Sequence, residues 1–179
     1  MLTDLLHDSA VRVGPAAFTR CSRPRTWKGK TKAVTATYRG ELEAHMRHLL
    51  GRRADPELEL TLASGLVLAS ELDKRLQHLP ITWLPDLLWH VPGVLVNSLV
   101  IEVRSTRVSR RDLARDIERL TWFIGRDHRY GGAVLLLVGA RAPSGACRRL
   151  LAEAQRAGVV VLLHERAGQR PCALEGSTS

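Results

Sequence analysis

Cysteine is scarce in this chain. Cys21, Cys147 and Cys172 are odd in number and form no C-x-x-C pair. That argues against a disulfide framework and a cysteine-based zinc site, and makes a reducing, cytoplasmic setting the expectation. Long apolar runs are missing too. None reaches the roughly 18 to 20 residues a membrane helix needs, so no membrane partner is expected. The opening MLTDLLHDSAVRVG carries acids early and lacks a continuous apolar stretch, unlike a secretory signal. The stretch GARAPSG (139–145) has neither G-x-G-x-x-G nor G-K-[ST], so it is no nucleotide loop. His45 and His48 are not four apart and no H-E-x-x-H occurs, which leaves a zinc-protease reading without support. Lysine is rare as well. Of 27 basic residues only Lys28, Lys30, Lys32 and Lys74 are lysine, so 23 are arginine and no lysine follows Lys74.

What is present is enough for one folded domain. The 179 residues are 45% hydrophobic and 25% charged, which suits a single core with an arm attached. The net charge of +9 favours a polyanionic partner, and nucleic acid is the expected one. Residues 1–35 differ from the rest. After a short helical stretch, LTDLLHD, comes RCSRPRTWKGKTK, basic and without apolar period. This reads as an extended arm, flexible when unbound. Arg23, Arg25, Lys28, Lys30 and Lys32 would hold phosphates and Trp27 would stack on a base, unless the arm is a solvated tail. Residues 36–166 form the domain, and 167–179 read as a polar tail.

Within the domain, helical and strand periods alternate. YRGELEAHMRHLL places Tyr38, Leu42, His45, Met46 and Leu49 on one helix face, with Gly51 as the stop. ELELTLASGLVLAS reads as a strand or a hairpin turning at Ser64-Gly65, while WLPDLLWHV and SLVIEVRS read as short strands joined by a turn. SRRDLARDIERLTWFIGR is a helix with Ser109 as N-cap, Asp112 three residues on, and a core face of Leu113, Ile117, Leu120 and Ile124. A buried strand (GGAVLLLVG), a helix ending at Gly158 and a last strand (VVVLLHE) follow. The late β-α-β unit favours parallel pairing and the early short turns favour antiparallel pairing, so a mixed α/β sheet flanked by helices is expected.

One strand carries unusual charge. In LVIEVR the side chains alternate, so Val100, Glu102 and Arg104 face one way and Leu99, Ile101 and Val103 the other. If PDLLW is the neighbouring strand, Asp86 reaches the same region. Two carboxylates and a cation at a strand end suit a divalent metal, because Mg²⁺ takes one or two carboxylates together with waters and phosphate oxygens.

The pair PD and the run IEVR, in this order of elements, resemble the PD-(D/E)XK nuclease superfamily over residues 38 to about 140. The resemblance implies a restriction-endonuclease-like α-β-β-β-α-β core, here with an added α-β unit. It implies Mg²⁺- or Mn²⁺-dependent endonuclease activity on DNA in preference to RNA. Asp86 and Glu102 would be metal ligands, Glu43 on the first helix a further one, and Arg104 would stand at the lysine position. A chain this small would cut both strands as a homodimer or within a larger nuclease complex. Arg104 is a departure. Lysine can lose its proton near a metal and arginine effectively cannot, so a base role is lost while phosphate neutralisation is kept. The Gln and Tyr of one nuclease subgroup are also missing from the next helix. That departure supports the alternative, a catalytically inactive nuclease-fold protein that binds nucleic acid or joins an assembly.

Plainer readings stand beside these. Asp86 could be a strand-start residue, Glu102 and Arg104 a same-face ion pair, and Glu43 a partner of Arg39 or Arg47. His90 is close to Asp86 and reads more simply as strand filler. Arg107, Arg111, Arg115 and Arg119 fall four apart and could track phosphates, or form a solvated face paired with Asp112, Asp116 and Glu118.

Overall fold

A computed structural model of the chain describes residues 2–22, 31–53, 61–64, 85–90, 97–125, 130–141 and 143–174. In chain order these form α1 (Leu2–Arg12), α2 (Pro15–Ser22), α3 (Thr31–Arg53), β1 (Thr61–Ser64), β2 (Leu87–His90) and β3 (Asn97–Ser105). Then come α4 (Arg110–Ile124), β4 (Ala133–Val138), α5 (Gly145–Arg156), β5 (Val159–His164) and the two-residue β6 (Cys172–Ala173).

The strands make one mixed sheet in the order β1-β2-β3-β4-β5-β6. β1–β2, β2–β3 and β5–β6 are antiparallel, and β3–β4 and β4–β5 are parallel. The parallel centre follows from the chain's own periods. AVLLLV of β4 is apolar throughout because both of its faces are covered, and every residue in it is buried. β3 sorts its side chains by alternation. Leu99, Ile101 and Val103 join a core with Leu87, Val134, Leu136 and residues of α1, α2 and α3. Val100 joins a second core with Leu88, Leu135, Leu137, Leu113, Leu120 and Leu151, under α4 and α5. The result is three layers, helices on both faces of the sheet.

Caps set the helix ends. Ser109 Oγ accepts from the Asp112 backbone N–H at 3.1 Å and donates to Asp112 Oδ2 at 2.8 Å, so the expected cap forms. Gly158, at φ 93°, closes α5 in the left-handed region where a Cβ would be strained.

Several expectations are corrected. Residues 2–22 are not an arm. α1 and α2 insert Leu5, Leu6, Ala10, Val13, Ala17, Phe18 and Cys21 into the first core. Their i, i+4 apolar spacing drives this, and the basic stretch beyond it masked the pattern. Residues 23–30, the centre of the proposed arm, lie outside the described residues. α3 begins at Thr31 and runs through Gly51 to Arg53. An interior glycine costs only about 1 kcal/mol, too little to stop a helix anchored by buried Tyr38, Leu42, Met46 and Leu49. The tail is partly built in, because β6 pairs with β5 and Leu174 O accepts from Gln155 Nε2 at 2.6 Å. Of the expected hairpin over 57–70 only Thr61–Ser64 is described, and of the turn expected at 92–97 only Asn97 is described, as the first residue of β3. Among the described residues no helix is long and apolar enough to cross a membrane.

Candidate active site

The site grows from the pairing of β2 with β3. Their antiparallel register sets Leu87 against Ile101, which brings Asp86, just ahead of β2, opposite Glu102. Asp86 Oδ2 accepts from the Val103 backbone N–H at 2.9 Å, so the carboxylate is fixed to β3 itself. Its other oxygen accepts from Arg39 Nη1 at 2.9 Å, an arginine on α3 that is only partly exposed. Sequence reasoning missed Arg39 as a site residue.

Arg104 is the centre. Its Nη1 lies 3.5 Å from Asp86 Oδ2 and 3.3 Å from the Val103 carbonyl, and its Nη2 lies 3.3 Å from Glu102 Oε2. The other edge of the guanidinium is gripped by Asp116 of α4. Nε donates to Asp116 Oδ2, and Nη2 donates to Asp116 Oδ1 at 2.8 Å. This is the planar two-point match that arginine makes and lysine does not. Asp116 also accepts from Arg119, which lies 3.3 Å from Glu102 Oε1.

Asp116 and Arg119 correct the reading of α4. Neither is on a solvated face or in a phosphate-tracking stripe; their side chains are 2% and 4% exposed. They lie in line with Leu113, Leu120 and Phe123, and Ile117 and Ile124 are only partly buried. The three-and-four spacing of Leu113, Asp116 and Leu120 was a signal that could have found Asp116.

The electrostatics are close-run. The site pairs Asp86, Glu102 and Asp116 with Arg39, Arg104 and Arg119, three acids against three bases. Glu102 is 1% exposed and, among the described residues, neither of its oxygens has a hydrogen-bond partner. Burial, with the charge of Asp86 added, holds its carboxyl well above the usual range, although Arg104 and Arg119 pull it down. Burial alone would loosen the Arg104 proton. The Asp116 hydrogen bond and the charges of Glu102, Asp116 and Asp86 outweigh that and hold it more firmly. Behind the site, burial pushes the Cys21 thiol up to about 12, and the charge of Asp86 adds to the push. Nearby, Tyr38 Oη meets His164 Nδ1 at 2.6 Å in the core, tying α3 to β5.

The remaining candidates are dispersed. Glu43 pairs with Arg47 one turn along at 2.9 Å. Among the described residues no three His, Cys, Asp or Glu side chains are grouped so as to hold a metal ion. Arg39, one turn before Glu43 on the same side of α3, is the residue that reaches Asp86. Arg107, Arg111 and Arg115 are exposed, ahead of α4 and along it. Arg23, Arg25, Lys28 and Lys30 lie outside the described residues, as do the side chains of Lys32 and His90.

No family model matches the chain, and neither a curated protein nor a solved structure is detectably similar to it.

Proposed function

We propose that this chain is a divalent-metal-dependent nuclease of the PD-(D/E)XK kind, hydrolysing phosphodiester bonds in DNA in preference to RNA. The carrying observation is the convergence of Asp86 Oδ2, Glu102 Oε2 and the Val103 carbonyl on one cationic group. The order α3-β1-β2-β3-α4-β4, followed by α5-β5, supports a restriction-endonuclease-like core.

The residues fit a metal. Three hard oxygens face the Arg104 guanidinium, two of them at Nη1 and one at Nη2, and among the described residues both buried oxygens of Glu102 accept no hydrogen bond. Asp86, Glu102 and the Val103 carbonyl would hold Mg²⁺ or Mn²⁺. When bound, the ion would acidify a water and offset charge on the phosphate. The chain's own residues supply the rest. The Val103 N–H and Arg39 orient Asp86. Arg104 keeps its charge and would lie against the scissile phosphate, where a fixed cation steadies developing negative charge. The parallel strands β3 and β4 run to the same sheet edge, and exposed Arg107, Arg111 and Arg141 follow their ends, suited to backbone phosphates.

The test is cleavage of single- and double-stranded DNA and RNA with Mg²⁺ or Mn²⁺. Wild type cuts DNA, and Asp86→Ala and Glu102→Gln lose at least a hundredfold in rate. Equal rates for wild type and Asp86→Ala would sink the proposal. The two-point grip of Asp116 on Arg104 favours a second reading, a catalytically silent nuclease fold that binds nucleic acid. Wild type that binds DNA without metal and cuts nothing would establish it.

A further inference from the structure

Arg104 occupies the centre of the oxygen set just assigned to a metal. Its guanidinium reaches all three oxygens, at 3.3 to 3.5 Å. It does not rest there loosely, because Asp116 holds its far edge through two donors and is itself buried against Arg119. Glu102 feels two guanidinium groups at 3.3 Å but accepts a hydrogen bond from neither. Its oxygens are therefore compensated in charge and left unsaturated in bonding. A divalent ion would bring both a second positive charge and direct oxygen coordination.

Resting on the nuclease reading, we infer that Arg104 is a tethered counter-ion that a divalent metal must displace, and that Asp116 is the positioning residue that holds it in place. The site is closed to metal at rest. A phosphodiester opens it by giving the guanidinium a second anion to face, so metal and nucleic acid bind with mutual reinforcement. Arginine is the residue this device requires. It stays charged at every working pH, and its fork spans Asp116 on one edge and the Asp86–Glu102 pair on the other. A lysine has the charge without the span.

The experiment measures Mn²⁺ binding through loss of the free-ion electron paramagnetic resonance signal at pH 7. Wild type, Arg104→Gln, Arg104→Lys and Glu102→Gln are compared, with folding checked by circular dichroism. Arg104→Lys keeps a cation among the three carboxylates, so it carries the test if Arg104→Gln does not fold. The expected result is weak Mn²⁺ binding by wild type and binding at least tenfold tighter by Arg104→Lys and Arg104→Gln. Glu102→Gln binds none. A dinucleotide whose bridging oxygen is replaced by methylene, and so cannot be cut, tightens Mn²⁺ binding to wild type severalfold and leaves Arg104→Gln unmoved. A role for Arg104 in stability alone would not produce that dependence. Equal Mn²⁺ affinity in wild type and Arg104→Lys would overturn the counter-ion and leave the metal site standing. No Mn²⁺ binding by any variant at millimolar concentration would overturn both.

Discussion

At Glu102 a carboxyl group is buried with ion pairs but, among the described residues, without hydrogen bonds. Such a group raises its proton affinity, and the sign of the consequence follows. A carboxyl held above its unfolded value, near 4.3, stabilises the fold fully below that pH and loses the contribution as pH rises through the raised value. Glu102→Gln cannot ionise. It should unfold at higher urea than wild type at pH 8, with the gap closing toward pH 4; a gap that does not change with pH would contradict the buried, costly carboxylate. Asp116 differs in bonding, because it accepts hydrogen bonds from both Arg104 and Arg119. It compensates two guanidinium groups, so Asp116→Asn leaves buried positive charge without its partner and should cost about 3–5 kcal/mol in urea unfolding. Asp112→Asn, one turn earlier in the same helix and partly exposed, is the comparison and should change stability by about 1 kcal/mol or less. Asp86, Glu102 and Arg104 were legible as a unit because a two-residue period and an adjoining strand are enough to align them. Asp116 and Arg119 were not, because a charged residue amid other charges reads as solvated until the sheet beneath it is known.

At the scale of elements, α1 and α2 were the main surprise. Leu6 is fully buried in the core shared with β3, so Leu6→Ala should cost about 2–5 kcal/mol. A loosely attached arm would show almost no change, which makes thermal unfolding of this variant decisive between the two descriptions. The helices matter to the site as well, since Cys21 of α2 lies where the charges of Asp86 and Arg104 act on it. α4 does two jobs at once. Its apolar line of Leu113, Leu120 and Phe123 docks on the sheet, and the same docking carries Asp116 and Arg119 to β3. The helix and its Ser109 cap were readable from period and capping residues. Its rotational setting on the sheet was readable only in part, since Ile117 and Ile124 competed with Phe123 for the inner face.

For the whole molecule, the charge balance separates site from surface. The six site residues cancel in formal charge, so the formal net +9 is carried elsewhere, and Arg107, Arg110, Arg111 and Arg115 are among its exposed carriers. Exposed arginines that meet phosphates release counterions, which makes binding steeply dependent on salt. On the proposed nuclease reading, replacing Arg107, Arg111 and Arg115 together by alanine should weaken DNA binding and make the logarithmic salt slope shallower by about 2 to 3, at about 0.9 for each lost phosphate contact. Fluorescence anisotropy between 50 and 300 mM salt would check it, and an unchanged slope would remove these arginines from the interface.

Read by itself, the amino-acid order determined what depends on neighbours along the chain. It set the two faces of β3, the wholly apolar β4, the Ser109 cap of α4, the end of α5 at Gly158, and the succession from α3 to β5, because local periods and capping residues act over a turn or a strand. The tertiary structure alone decided which charges share the interior. Arg39 reaches Asp86 across 47 positions and Asp116 reaches Arg104 across 12, while Glu43 settles on Arg47 instead. Those choices rest on where each side chain falls along and around its helix and on sheet register, and the penalty for an unpaired buried charge makes the pairing of Asp116 with Arg104 consequential.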